Sequence, residues 1–471
     1  MKALNGRRLA LSRLNDVRGR LRSLSILLLM LLLMLCHRVI SLGQHLCVVS
    51  AHHSDPMSVR SDHHVSIHTS TRSQAAAYFP QLDALRAIAV FVVLLHHYLP
   101  WRWVQRLALG PMAVQLFFVI SGFLITGILL RSRQLIQTQQ ATLKQALAVF
   151  FARRSLRILP AYWLLLGLAY LANTPGVREQ FFWHLTYGTN IWLGLQQSWD
   201  GYLSLLWSLA VEEQFYLLWP LLILGLPRRW LGPVIAGAVA IAPFARWGLL
   251  TLEVHPIWVA TALLTNLDTL GMGALLAWII WERQHWIEHW KAAWAQQEKL
   301  EDGPSSAPLT QDFGRIWSFS LHRWSLLIGL PLFTACKTMN LAGYGNSFTI
   351  AFTYLGLAGC LAWLVQRSAL GFSGRVGLLL ESPTLLYLGK ISYGIYLYHM
   401  VITDWFFRGM GLPRPEALGL RLPLYCGLTL AIASASWFFW ESPWLRLKSR
   451  FRLAPLPVSS RPERKRAIAL R

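Results

Sequence analysis

The sequence predicts an all-α, polytopic membrane protein of about ten transmembrane helices. Three observations carry that prediction. Of 471 residues, 55% are hydrophobic and only 14% charged, whereas soluble domains carry about a quarter charged residues. The mean hydropathy is +0.41. From Tyr78 onward the chain runs in apolar blocks of roughly 17 to 23 residues, the length that crosses a hydrocarbon core about 30 Å thick. Lipid offers no partner for a free backbone N–H, so such blocks must be helices, and the sequence lacks the period-two alternation of a membrane barrel.

Residues 1–77 read as an extension unlike the rest. Arg7, Arg8, Arg13, Arg18, Arg20 and Arg22 precede an apolar run from Leu24 to Cys36, followed by a polar, His-rich segment reaching Gln74. That apolar run is short for a span and suits a signal-like or interfacial helix; translation starting later, for instance near Met57, is the other reading. The six histidines from His45 to His68 have no regular spacing on a helical face, so a solvated segment is expected there rather than a metal site. Five cysteines, Cys36, Cys47, Cys336, Cys360 and Cys426, lie far apart with no CxxC pair, which points to neither a disulfide framework nor structural zinc.

The membrane region is expected over 78–446, with spans beginning near Leu85, Met112, Ile158, Leu203, Gly232, Ile257, Trp324, Phe348, Leu385 and Leu422. A shorter aromatic segment, Phe181 to Leu195, fits a span, a re-entrant helix or an interfacial loop. A hydrophilic loop is expected over 281–323, broken by Gly303 to Ser306, and a basic tail over 447–471. The 44 Lys and Arg against 21 Asp and Glu, a formal charge of +23, fall in short runs between apolar blocks. That is the pattern of basic cytoplasmic ends rather than of a nucleic-acid-binding face, so no nucleic acid is expected as a partner and a lipid bilayer is. Arg131, Arg133, Lys144, Arg153, Arg154 and Arg157 put the loop after the second span in the cytoplasm. The first span then starts inside near Asp83 and Arg86 and ends outside near Pro100. The inner (plasma) membrane is the expected location.

Ionisable side chains inside spans are the informative ones, since each costs several kcal/mol in hydrocarbon unless it faces protein or a wet cavity. Arg86 and His97 are eleven residues apart, about 20° from a common helical face and about 16 Å along the axis. Ser208, Glu212 and Tyr216 repeat every fourth residue and share a face. Glu212, on that stripe, is the better placed of two adjacent carboxylates; Glu213 is expected to pair with a basic residue or lie at the interface. Further polar groups within spans are Asn266, Asp268, Ser392, Tyr393, Tyr396 and His399, with Glu441 and Pro443 ending the last span. Arg153, Arg154 and Arg157 crowd one side of a helix end: either plain anchoring on anionic lipid or a phosphate clamp suits three guanidiniums.

These residues resemble the acyltransferase-three family of integral membrane acyltransferases, which includes O-antigen and exopolysaccharide acetylases. The resemblance runs from about Tyr78 to Arg446. It rests on Leu82 to Arg86 followed by His97; Leu116 to Leu124; Arg153 to Pro160; Trp207 to Glu212; Gly389 to Tyr393 through His399; and Trp440 to Pro443, in that order. It implies transfer of an acyl group, usually acetyl from acetyl-CoA as co-substrate with no resident cofactor or metal, to a hydroxyl of a sugar, envelope polysaccharide or small-molecule acceptor. It also implies that Arg86 and His97 are essential. Two departures stand out: Gln115 where many relatives have Asp, and Asn266 where many have Arg. No hydrolase-like domain is expected after the last span, so a relay to such a domain is expected to need another protein.

On this reading His97 is the general base and Glu212 orients it or relays its proton. Arg86, Arg153, Arg154 and Arg157 meet the donor phosphates, and Ser208, Tyr216, Asp268 and His399 line the substrate path. The competing expectation is a transporter or channel for a polar solute or protons, with His97, Glu212, Asp268 and His399 as relay groups. No persuasive internal repeat supports it.

Overall fold

A computed structural model describes residues 78–99, 101–199, 201–298, 309–409 and 418–453. The extension over 1–77, the Gly303 to Ser306 break and the tail beyond 453 lie outside the described residues. Among the described residues the regular elements are all helical: α1 (Pro80–Tyr98), α2 (Arg102–Leu107), α3 (Leu109–Gln137), α4 (Leu143–Leu171), α5 (Val177–Leu185), α6 (Thr189–Gln196), α7 (Trp207–Gly225), α8 (Arg228–Thr251), α9 (Pro256–Thr261), α10 (Leu267–Glu298), α11 (Leu309–Leu341), α12 (Ser347–Leu370), α13 (Gly374–Leu380), α14 (Pro383–Gly409), α15 (Leu418–Ser436) and α16 (Ser442–Arg446). A π-helical stretch, Trp437–Glu441, joins the last two, and short 3-10 turns precede α7 and α10 and follow α16.

Five described stretches are long and apolar enough to cross a membrane: Arg102–Gln137, Arg228–Thr251, Leu264–His285, Ser347–Leu370 and Leu420–Arg450. The sequence led us to expect about ten. The difference has a chemical origin. Helices α1, α4 and α7 carry Asp83, Arg86, Arg153, Arg154, Arg157, Glu212 and Glu213, and those side chains lower the hydropathy of segments that otherwise have span length. The aromatic segment Phe181 to Leu195 is two short helices, α5 and α6, separated at Tyr187, whose φ is 54°. At about 1.5 Å per residue neither crosses a bilayer. The stretch expected as a loop over 281–323 is entered by helix from both sides, as far as Glu298 and from Leu309.

Local chemistry sets several boundaries. Thr142 accepts from the Gln145 N–H and the Gln145 side chain returns to the Thr142 N–H, a capping box that starts α4. Asn346 and Thr349 do the same for α12. Pro160 lies inside α4, which runs on through it, and nearby carbonyls accept from neighbours: Tyr393 Oη donates to Ile158 at 3.0 Å and Trp440 Nε1 to Pro160 at 2.8 Å.

Close helix pairs are made by glycine. Along α3 and α10, Gly122 lies on the Leu270 carbonyl and Gly273 on the Val119 carbonyl, with no room for a Cβ at either. Lipid supplies no hydrophobic drive between helices, so backbone approach at small residues is what makes such a pair favourable. Gly389 of α14 lies in the same way on the Asp83 carbonyl of α1. The core joins these pairs with α4 and α7 through buried Phe118, Tyr162, Phe215 and Tyr216.

Candidate active site

Helix α7 carries one stripe whose ends enter two different polar neighbourhoods. Glu212 and Tyr216 lie at the first. Tyr216 Oη donates to Glu212 Oε2 at 2.9 Å, and Ser121 Oγ of α3 donates to Glu212 Oε1 at 3.0 Å, so both carboxylate oxygens are engaged. The Arg154 guanidinium of α4 lies 3.8 Å from the centre of the Tyr216 ring, a cation–π contact strengthened by partial burial. Arg157, one turn further along α4, is within electrostatic reach of Arg86, Arg154, Asp83 and Tyr216. Arg86 is tethered one helical turn back to Asp83 at 2.9 Å, both half-buried. Three guanidiniums from two helices thus converge with Glu212 at the N-terminal end of α1.

Ser208, two turns before Tyr216, enters the second neighbourhood. Its Oγ is 2.6 Å from Tyr396 Oη, and Tyr396 also donates to the Leu205 carbonyl at 2.9 Å. The Tyr396 ring centre is 5.8 Å from that of His399 and the His399 ring 5.1 Å from that of His97. His399 is fully buried. Its Nδ1 is 2.7 Å from the Tyr396 carbonyl, an acceptor, so Nδ1 carries the proton and Nε2 is a bare lone pair without a partner. Tyr98 Oη donates to the His399 carbonyl at 2.7 Å and pins the C-terminal end of α1 to α14. His97 is exposed, with His96 as its other ring neighbour at 5.3 Å.

The sequence-predicted residues therefore divide into two groups. Arg86, Arg154, Arg157, Glu212 and Tyr216 meet at one end of α1; His97, His399 and Ser208 meet at the other. Glu212 is hydrogen-bonded to Ser121 and Tyr216, not to His97. Arg153 faces outward and is exposed. Asp268 is buried in an ion pair with Arg246 of α8, which also donates to the carbonyls of Thr265 and Ala351. Among the described residues it makes no hydrogen bond with either group. Gln115 and Asn266, the two departures from the family pattern, are partners: Gln115 Nε2 donates to Asn266 Oδ1 at 3.1 Å, and Thr269 Oγ1 donates to Gln115 Oε1 at 2.6 Å.

Three contributors have no site role in the sequence reading, although Glu441 stands there at the end of the last span and Ser121 falls in the Leu116 to Leu124 motif. Ser121 stands as a lone hydroxyl in the apolar run of that motif. Glu441, held by Ser436 Oγ at 3.0 Å, lies within reach of Arg157. Lys448 faces Arg153, Arg154 and Arg157, and in the sequence it is one cation among many in a basic stretch. Among the described residues no group of three or more His, Cys, Asp or Glu side chains is placed to hold a metal ion.

A model of the acyltransferase domain matches residues 79–441. The chain is similar to the O-acetyltransferase OatA of Staphylococcus aureus strain NCTC 8325 / PS 47, 28% identical over 410 residues that make up 81% of this chain and 59% of the relative. OatA of strain COL matches with the same identity and coverage. The chain thus spans a little over half the length of these relatives. No solved structure matches.

Proposed function

Because the chain belongs to the acyltransferase-domain family, we propose that it is a membrane O-acyltransferase that moves an acyl group, acetyl in the first instance, from acyl-CoA to a hydroxyl of a sugar, an envelope polysaccharide or a related acceptor, in the inner membrane. The observation that carries this reading is the division of α1. Guanidiniums gather at the end that starts in the cytoplasm, where a polyanionic donor is made, and imidazoles at the other. Helix α7 runs between the two.

Arg86, Arg154 and Arg157, with Lys448 beside them, take the donor phosphates, for which forked guanidiniums are suited. The pantetheine arm then covers the rise of about 16 Å along α1 to His97. There the His97 imidazole removes the proton from the acceptor hydroxyl, the oxygen attacks the thioester carbonyl, the new C–O bond forms and the C–S bond breaks. The imidazolium returns its proton to the CoA sulfur. Glu212 balances the guanidinium charge and fixes Tyr216 beneath Arg154. His399 and Tyr396 hold the far wall of the reacting end.

The test is release of the CoA thiol from acetyl-CoA by the purified protein in detergent, with and without envelope glycan. His97→Ala is expected to lower turnover by about 10² to 10⁴ while the protein still fractionates with membranes. Unchanged turnover in that variant overturns the proposal.

A further inference from the structure

Helix α2 follows His97 by a few residues, is six residues long, and opens the apolar stretch Arg102–Gln137 ahead of the longer α3. Of its side chains only Val104 is buried, at 1% exposure. Trp101 and Trp103 are 43% and 53% exposed, and their rings stack at 5.6 Å with planes 25° apart. Arg102 and Arg106, one turn apart on one side of the helix, are exposed, with no carboxylate partner among the described residues. These four side chains line an open surface depression of about 440 Å³, a shape that suits a ring laid on the surface more than a ligand enclosed by protein.

The depression is tied to the reacting end. Gln105 Nε2 donates to the His96 carbonyl at 2.7 Å, and Gly110, just beyond α2, packs on the His96 imidazole with no space for a Cβ. The arginines stand at the end of α1 opposite the basic cluster, on the side where the positive-inside rule expects few cations, so membrane topology does not account for them. Two indoles stacked on one another give a flat apolar face on which the C–H face of a pyranose ring can lie. Two uncompensated guanidiniums beside it are bidentate partners for a carboxylate or phosphate.

We infer that α2 is the acceptor platform and that the acceptor is an anionic glycan, its ring on Trp101 and Trp103 and its acidic group on Arg102 and Arg106. The inference rests on the acyl-transfer reading and adds the acceptor class to it. The full chain, purified in detergent, is titrated calorimetrically with a galacturonate hexamer and, in parallel, with neutral maltohexaose. The acidic oligomer is expected to bind roughly tenfold more tightly, with an advantage that shrinks as salt is added. R102Q/R106Q removes the preference, R102K/R106K keeps part of it because charge survives without the fork, and W101A/W103A weakens both oligomers.

Equal binding of the two oligomers, no binding of either, or a preference that survives R102Q/R106Q overturns the inference. So does an R102Q/R106Q protein with unaltered oligomer binding that loses only its stabilisation by phosphatidylglycerol over phosphatidylcholine, which assigns α2 to lipid headgroups. Acetyl-CoA turnover by the same wild-type preparation separates the two readings. Its absence counts against acyl transfer, while the titration still decides the platform.

Discussion

A carboxylate with both oxygens already accepting hydrogen bonds is poorly placed to take a further proton from substrate. Glu212 is such a group, held by Ser121 and Tyr216 with Arg154 on the Tyr216 ring. Its placement favours a charge-balancing role over a chemical one. Glu212→Gln removes one negative charge from the cluster that we propose meets a polyanionic donor, so the donor KM should fall by about fivefold, equivalent to about 1 kcal/mol, with kcat little changed. Steady-state kinetics with acetyl-CoA varied would show it. A kcat loss of about 10² or more would place Glu212 in the chemistry instead. The stripe of Ser208, Glu212 and Tyr216 is legible in the sequence because a period of four is a local property. The partner Ser121 is not, lying 91 residues away. Gln115 and Asn266 show the same limit: read singly, each is a missing charge, and folded together they are one neutral hydrogen-bonded pair.

At the scale of helices, the pairing of α3 with α10 depends on two glycines that each meet a carbonyl of the other helix. Ser121, the donor to Glu212, is the residue before Gly122, so the helix contact and the site geometry are coupled. Gly122→Leu forces the helices apart at a cost of about 1 to 3 kcal/mol. It should lower the Tm of the detergent-solubilised protein and raise the donor KM together. A variant with a lowered Tm and an unaltered KM would show that the register of Ser121 survives the separation. Although α4 and α11 begin at Leu143 and Leu309, well ahead of the spans expected near Ile158 and Trp324, the start of most long helices is legible in the sequence from block length. The division of Phe181 to Leu195 into α5 and α6 is not, because it turns on Tyr187 taking a left-handed backbone conformation, which nothing in tyrosine chemistry favours. The helices that enter 281–323 are hidden for a different reason. Hydropathy marks where lipid ends, and a helix can continue beyond that point.

Across the whole molecule, the arginines and histidines named in the sequence stand at opposite ends of α1, and the two ends should answer differently to salt. Screening acts over about 8 Å at physiological ionic strength, and on the proposed mechanism it would weaken attraction to donor phosphates without touching a proton transfer at His97. Raising NaCl from about 0.05 to about 0.5 M should increase the donor KM severalfold and leave kcat unchanged, and Arg157→Gln should flatten that dependence. A kcat that falls in parallel with donor affinity would mean that the two ends do not act separately.

On the proposed mechanism, the rise from Arg86 to His97 would also make the fold a gauge of reach. A thioester on a long flexible tether can have its charged head gripped and its carbonyl presented in the same instant. A compact activated acetate such as an acyl phosphate can occupy either place but never both. Selection among donors would then follow the length of the leash more than the identity of the leaving group.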